Sequence, residues 1–258
     1  MRYYFTLLAL PPLSLKARPE ISFKEFKDLL SLNLSPDDLK KLRTLLRPTD
    51  LYNLRAFWLG QPLDERGNLN AKEIEEALLV RDPLPLYLVE FLDRYDTAAE
   101  RLKAFPSLWA SFFREAKETC CGFLGRYFAF ERERMLVSAA IRAKAAGRDI
   151  ARELQFEDPS DPVIAQILAQ KDSSDYYPPK EFEELKNLFE EKGHDPEKLD
   201  RAILEYRLRK TEEMEDEEAP FSVDQVLGYA ARFLIVDSWF QLDREKGRLE
   251  VEKLSEYG

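Results

Sequence analysis

"SLWASFFREAKETCCGFLGRYFAFERERMLVSAAIRAKAAG", residues 107–147, contains no proline, and its reading decides the fold class. Apolar residues recur at Phe113, Ala116, Cys120, Phe123, Leu124 and Tyr127, and again at Leu136, Ala139, Ala140 and Ala143. Steps of three and four positions put them along one face of an α-helix. Ser107 reads as the N-cap. An unbroken helix of about 38 residues at 1.5 Å rise reaches roughly 57 Å, longer than a compact fold of this size needs. Gly122 and Gly125 are the points at which it would bend. The sequence therefore predicts an elongated, multi-lobed, all-α chain.

Helix starts are marked on both sides of this segment. Ser22 with Glu25 forms a capping box ahead of "FKEFKDLLSL". Ser35 caps the next helix, with Pro36 at its first position and Asp38 in its first turn. Asn70 with Glu73 opens "AKEIEEALLV", and Pro83 and Pro85 precede "LYLVEFLDRY". Pro178 and Pro179 open "KEFEELKNLFEEK", which Gly193 can end. Asp195 with Pro196, and Ser222 with Gln225, open the last two helices. "YYFTLLAL", residues 3–10, is read as either a short strand or a buried helix, because length and periodicity do not separate them. No sustained βαβ pattern is present. We place an N-terminal helical lobe at residues 1–106 and a C-terminal lobe, with the long helix and closing helices, at 107–258. "EDPSDPVIAQILAQKDSSDYYPP", residues 157–179, reads as an interlobe region. The acidic run at Glu212, Glu213 and 215–218 reads as a solvated helix end or linker.

Composition narrows the function. The 258 residues include only 9 Gly, carry a net charge of −10 and are 45% hydrophobic. Excess negative charge opposes binding to phosphate backbones and anionic lipid. Cys120 and Cys121 are adjacent, a poor geometry for a disulfide, so a reducing cytoplasm is the natural compartment. The opening "MRYYFTLLALPPLSLKA" has a leader-like apolar run, but Pro11 and Pro12 break it and no small-residue cleavage site follows. That run is also too short to span a bilayer.

Motifs for chemistry are sparse. The sequence has no G-x-x-x-x-G-K-[ST], no G-x-G-x-x-G and no G-x-S-x-G. His194 is the single histidine. Glu191-x-x-His194 has the spacing of a di-iron bundle ligand pair, but such sites need two copies and two further glutamates. In the middle of an apolar helix, Cys120 and Cys121 read as small buried residues. No catalytic residue, cofactor or metal ligand is assigned.

"PTDLYNLRAFWLG", residues 48–60, is the remaining unusual stretch. On a helix Leu51, Leu54 and Trp58 share one face, and Asn53 lies beside it. A buried amide without partners costs about 1–3 kcal/mol, so Asn53 must find backbone groups to bond. Asp50, Asn53, Arg55 and Trp58 are therefore read as an interhelical structural clamp.

The same stretch resembles a signature of the C/d subunit family of A/V-type ATPases and ATP synthases, D-x-x-N-L-x-x-h-h-R-A-x-x-x-G, with h apolar. Asp50, Asn53 and Leu54 match, and Gly60 comes about one turn early. "RMLVSAAIRAKAAGRD" resembles a degenerate second copy, matching at Arg142, Ala143 and Gly147, with Leu136 at the Asn position. "VDQVLGYAARFLIVDSWFQLDREKGRLEVEKL" is similar to that family's closing helix pair. "RYYFTLLALPPL" followed by "ISFKEFKDLL" looks like the bacterial domain of unknown function 2764, whose genes lie in V-type ATPase operons. These resemblances imply a funnel-like array of pseudo-repeated helical bundles without an active site. They imply a non-catalytic part that couples the central stalk to the membrane rotor ring in proton or other ion transport. Such a part would be cytoplasmic, peripheral to the inner membrane through partner subunits, and would bind no nucleic acid. Two other readings stand beside it: a cytoplasmic helical adaptor unrelated to the ATPase, and a helical enzyme using carboxylates.

Overall fold

The structure, a computed structural model, describes residues 2–82 and 84–241. Its described residues form twelve α-helices, one 3-10 turn and no strand, apart from an isolated bridge between Ser14 and Ala17. The helices are α1 (Tyr4–Leu8), α2 (Phe23–Asn33), α3 (Pro36–Trp58), α4 (Ala71–Val80), α5 (Leu86–Arg94) and α6 (Ala98–Thr119). They continue as α7 (Gly122–Ala145), α8 (Ile150–Glu153), α9 (Pro162–Ala169), α10 (Glu183–Lys192), α11 (Pro196–Asp216) and α12 (Val223–Gln241). Within residues 3–10 the chain is thus helical, over Tyr4–Leu8. No described helix is long and apolar enough to cross a membrane.

The expected long helix is two helices. α6 ends at Thr119, Cys120 and Cys121 are extended, and α7 starts at Gly122, whose φ is +59°. Only glycine takes that left-handed conformation without a Cβ penalty. The chain then folds back, so that the Phe112 and Phe128 rings meet edge to face with centroids 5.2 Å apart. Gly125 lies in the first turn of α7, and a Cβ there would stand 3.0 Å from the Cys120 carbonyl oxygen. Ser107 is not the cap either. The Thr97–Glu100 capping box starts α6 a helical stretch earlier, Pro106 is carried inside the helix, and the Ser107 hydroxyl donates back to the Ala104 carbonyl.

Pro178 and Pro179 precede a 3-10 turn, Lys180–Phe182, with α10 starting at Glu183. Pro85 is the N-cap of α5, and Pro83 lies outside the described residues. The polar start signals hold. Ser22–Glu25 and Asn70–Glu73 are reciprocal capping boxes. The Ser35 and Ser222 hydroxyls accept from the Asp38 and Gln225 amides, and Asp195 caps α11 with Pro196 behind it.

The chain divides into two units, residues 1–39 with 195–258, and residues 40–194. The sequence-based division at 106/107 falls inside α6, a continuous helix whose packing with α5 and α7 keeps both sides together. The segment 157–179 is not a linker, since Ile164, Ile167 and Tyr176 are core residues of the second unit. Residues 242–258, part of the closing segment in the resemblance, lie outside the described residues.

In the first unit, α11 and α12 pack along their length. Phe26 of α2 stacks on Phe233 of α12 at 4.8 Å, and the Tyr229 hydroxyl donates to the Pro11 carbonyl at 2.7 Å. The Tyr3 hydroxyl donates to Asp38, and the Tyr3 amide to the Phe221 carbonyl. The acidic run is more than a solvated end. Glu215 accepts from Arg232 at 2.7 and 3.0 Å, which ties α11 to α12.

In the second unit, an aromatic cluster joins α3, α5, α6 and α7. Trp109 touches Tyr52, Phe112 and Phe113, while Tyr87 meets Phe112. Arg47 of α3 reaches Glu115 of α6 at 2.6 Å.

Gly122→Ala is expected to lower stability by about 1–2 kcal/mol, the cost of holding an L residue left-handed. Urea unfolding followed by far-UV circular dichroism measures it. An unchanged midpoint would mean that the reversal does not depend on this glycine.

Candidate functional site

Leu51 and Leu54 bury one face of α3, and this carries the neighbouring Asn53 inside, where it is 1% exposed. Its amide is matched on both sides by one residue. Asn53 Nδ2 donates to the Asp64 carbonyl and its Oδ1 accepts from the Asp64 amide, each at 2.8 Å. One turn earlier, Asp50 accepts from the Asn68 amide and from Asn68 Nδ2, each at 2.6 Å. Asn68 Nδ2 also donates to the Arg43 carbonyl, which adds a third point on α3. Between these anchors, Arg66 closes on the Asp64 carboxylate. A Cβ on Gly67 would stand 2.7 Å from Asn53 Nδ2 and 2.8 Å from Asp50 Oδ1, so glycine is needed for the loop to approach the helix.

The clamp is therefore between a helix and a loop, where the sequence suggested two helices. Its members separate. Asp50 and Asn53 hold residues 64–69. Arg55 is exposed on another face of α3 and takes no part. Trp58 is half-buried further along, stacked on Phe91 at 6.0 Å and under Arg101 at 5.9 Å. Its Nε1 is buried with no acceptor among the described residues. Asp64, Gly67 and Asn68 were missed from sequence. The available signal was "DERGN" itself, a turn-rich run shortly after a helix that carries an Asp and an Asn one turn apart.

A second feature lies at the α6–α7 reversal. A cavity of about 450 Å³ opens there, lined by Phe113, Lys117, Cys120, Phe128, Arg132 and Glu133 among others. Arg132 is held by Glu157 at 2.7 Å and Asp161 at 3.0 Å. Burial pushes the Glu133 carboxyl above the usual range, against the pull of Arg132. Burial likewise pushes the Cys120 thiol up, against the pull of a Thr119 hydrogen bond. Cys120 is half-buried and Cys121 exposed, because they form the turn and not the middle of a helix. His194 is exposed just past the end of α10. Among the described residues no group of three or more His, Cys, Asp or Glu could hold a metal ion.

Asp50 and Asn53 thus bond the chain's own loop, an arrangement that fixes shape. Comparison with known proteins gives the lineage. The family model described as "Protein of unknown function (DUF2764)" matches residues 1–256. The chain belongs to this family. It is 33% identical to an uncharacterized protein of Chlamydia muridarum, over 100% of this chain and 98% of that protein. It is 30% identical to one from Chlamydia trachomatis, over 94% of each. A protein of Chlamydia pneumoniae is 30% identical over 82% of each. No solved structure matches. The similarity to these DUF2764 relatives spans both units, so the clamp and the α6–α7 reversal lie within the family's shared length.

Asn53→Ala should destabilise the fold by about 1–3 kcal/mol, because it strands the buried Asp64 amide and carbonyl. Asp50→Ala should act in the same direction. The pair should be non-additive, since both hold one loop. Urea unfolding of the two single variants and the double variant checks this. Strict additivity, or an unchanged midpoint for Asn53→Ala, would remove the clamp.

Proposed function

We propose that this protein is a non-catalytic component of a V/A-type ATPase or ATP synthase, of the C/d subunit kind, coupling the central stalk to the membrane rotor ring. The observation that carries the reading is the use made of Asp50 and Asn53. These are the polar positions of the stretch that resembles the C/d signature, and both are consumed in bracing a loop against α3. A part that carries torque has to keep its shape under load. A buried amide answered by two backbone bonds gives such stiffness, because breaking it leaves polar groups unpaired. The long helices support the same reading. α3, with 23 residues, is about 35 Å long at 1.5 Å per residue. The funnel-like arrangement of repeated bundles belongs to this proposal, as does a cytoplasmic position held at the membrane through partner subunits.

The test is sedimentation and cross-linking in native membranes. The chain should sediment with the membrane fraction and cross-link to a component of the central stalk and to loops of the rotor ring. It should not bind vesicles of anionic lipid alone, given its net charge of −10. A chain that stays in the supernatant and never cross-links to the ATPase would instead be an independent helical adaptor.

A further inference from the structure

We propose that the last turn of α4, at Leu79 and Val80, docks a basic segment of a partner protein with aliphatic side chains among its lysines and arginines. The inference deepens the coupling reading and rests on it.

Three large aliphatic side chains are left in water within eight positions: Leu79 is 79% exposed, Val80 69% and Leu86 70%. α4 already buries its other face through Ile74 and Ala77, so Leu79 and Val80 are not its core stripe turned the wrong way. The helix is fully formed and capped up to these residues. Arg81 then takes the left-handed conformation at φ +64° and ends it. Leu79 and Val80 sit side by side on the last turn of α4, and clustered exposed aliphatic surface marks an interaction site more often than a scattered single residue does.

Charge decides what covers it. Glu75 and Glu76 stand one helical turn before Leu79 and Val80, on the same outward rows. Between residues 71 and 94 there are six acidic residues and three basic ones. Lys72 is spent on Glu76 at 3.6 Å and Arg81 on Asp93 at 3.8 Å. Glu75, Asp82 and Glu90 remain as exposed acids around the aliphatic surface. Such a surface repels anionic lipid and nucleic acid, and it repels the same face of a second copy of this chain. A partner segment with Lys or Arg beside aliphatic anchors matches both features. The anchors supply the hold, and the charges steer and set register.

The experiment uses the full chain in native membranes, with Leu79 replaced by a benzophenone amino acid and Lys24, exposed in the other unit, replaced in a control. Irradiation should give an adduct at position 79 whose partner peptide carries Lys or Arg with aliphatic neighbours. Glu75→Lys with Glu76→Lys should reduce the adduct about tenfold, and the reciprocal change in the partner peptide should restore it. Leu79→Ser should weaken the adduct formed from a benzophenone at Val80. Circular dichroism of each variant checks that the helices are intact. Adducts to lipid, to a second copy or to a peptide without basic residues overturn the proposal. So does the absence of any adduct from a chain that still sediments with the ATPase, and that outcome leaves the coupling reading standing. A chain that does not sediment with the ATPase overturns the coupling reading and this proposal together.

Discussion

Reversal of the chain at Cys120, Cys121 and Gly122 is the constraint on which the second unit depends. As one straight helix, residues 98–145 would leave a row of phenylalanines facing water. Folded back, Phe112, Phe113, Phe123 and Phe128 are all buried. At about 1.5–3 kcal/mol for each buried Phe side chain, the gain far exceeds the few helical hydrogen bonds lost at a two-residue break, each worth about 1 kcal/mol net. A left-handed residue is the geometric requirement for so tight a turn, and Gly122 meets it at φ +59°. The aromatic cluster formed on the reversal then gives α3 and α5 a surface to pack on, through Tyr52 and Tyr87.

Once α3 is seated on that surface, its polar side chains inherit fixed positions. Asn53 enters the interior because Leu51 and Leu54 do, and the loop at 64–69 closes over it because a buried amide needs both a donor and an acceptor. Several charged groups elsewhere are matched as well. Arg132 is answered by Glu157 and Asp161, and Glu215 by Arg232, each with little side-chain exposure. The buried pairs are weak evidence of net stability, since desolvation offsets much of their attraction. What they fix is register: Glu215 and Arg232 set how α11 lies on α12.

The surface obeys a different logic. Leu79, Val80 and Leu86 are large aliphatic side chains left exposed, and the exposed acids Glu75, Asp82 and Glu90 lie near them in the chain. The proposed coupling role would account for a molecule that braces a loop with Asp50 and Asn53 and leaves aliphatic side chains outside. The α6–α7 cavity fits this role less directly. Its arginine is paired with Glu157 and Asp161, and burial pushes its thiol upward.

Much of the local structure was determined by the sequence alone. Ser22, Asn70, Asp195 and Ser222 start helices because their short polar side chains answer free amides at positions where a helix has no other acceptor. The all-α class follows from the three- and four-residue spacing of the apolar residues, which any helix must pack on one side. Tertiary structure decided the rest. Periodicity continues smoothly through Cys120 and Cys121, so the sequence shows one helix where burial of the aromatic face makes two. Asp50 and Asn53 announce a need for partners, but the partners, Asp64 and Asn68, are named only when the loop meets the helix. Arg55 sits two positions from Asn53 in the chain and on the wrong side of α3 in space. Glu215 reads as one acid in a solvated run until α12 brings Arg232 to it, because an ion pair seventeen residues apart leaves no periodic trace.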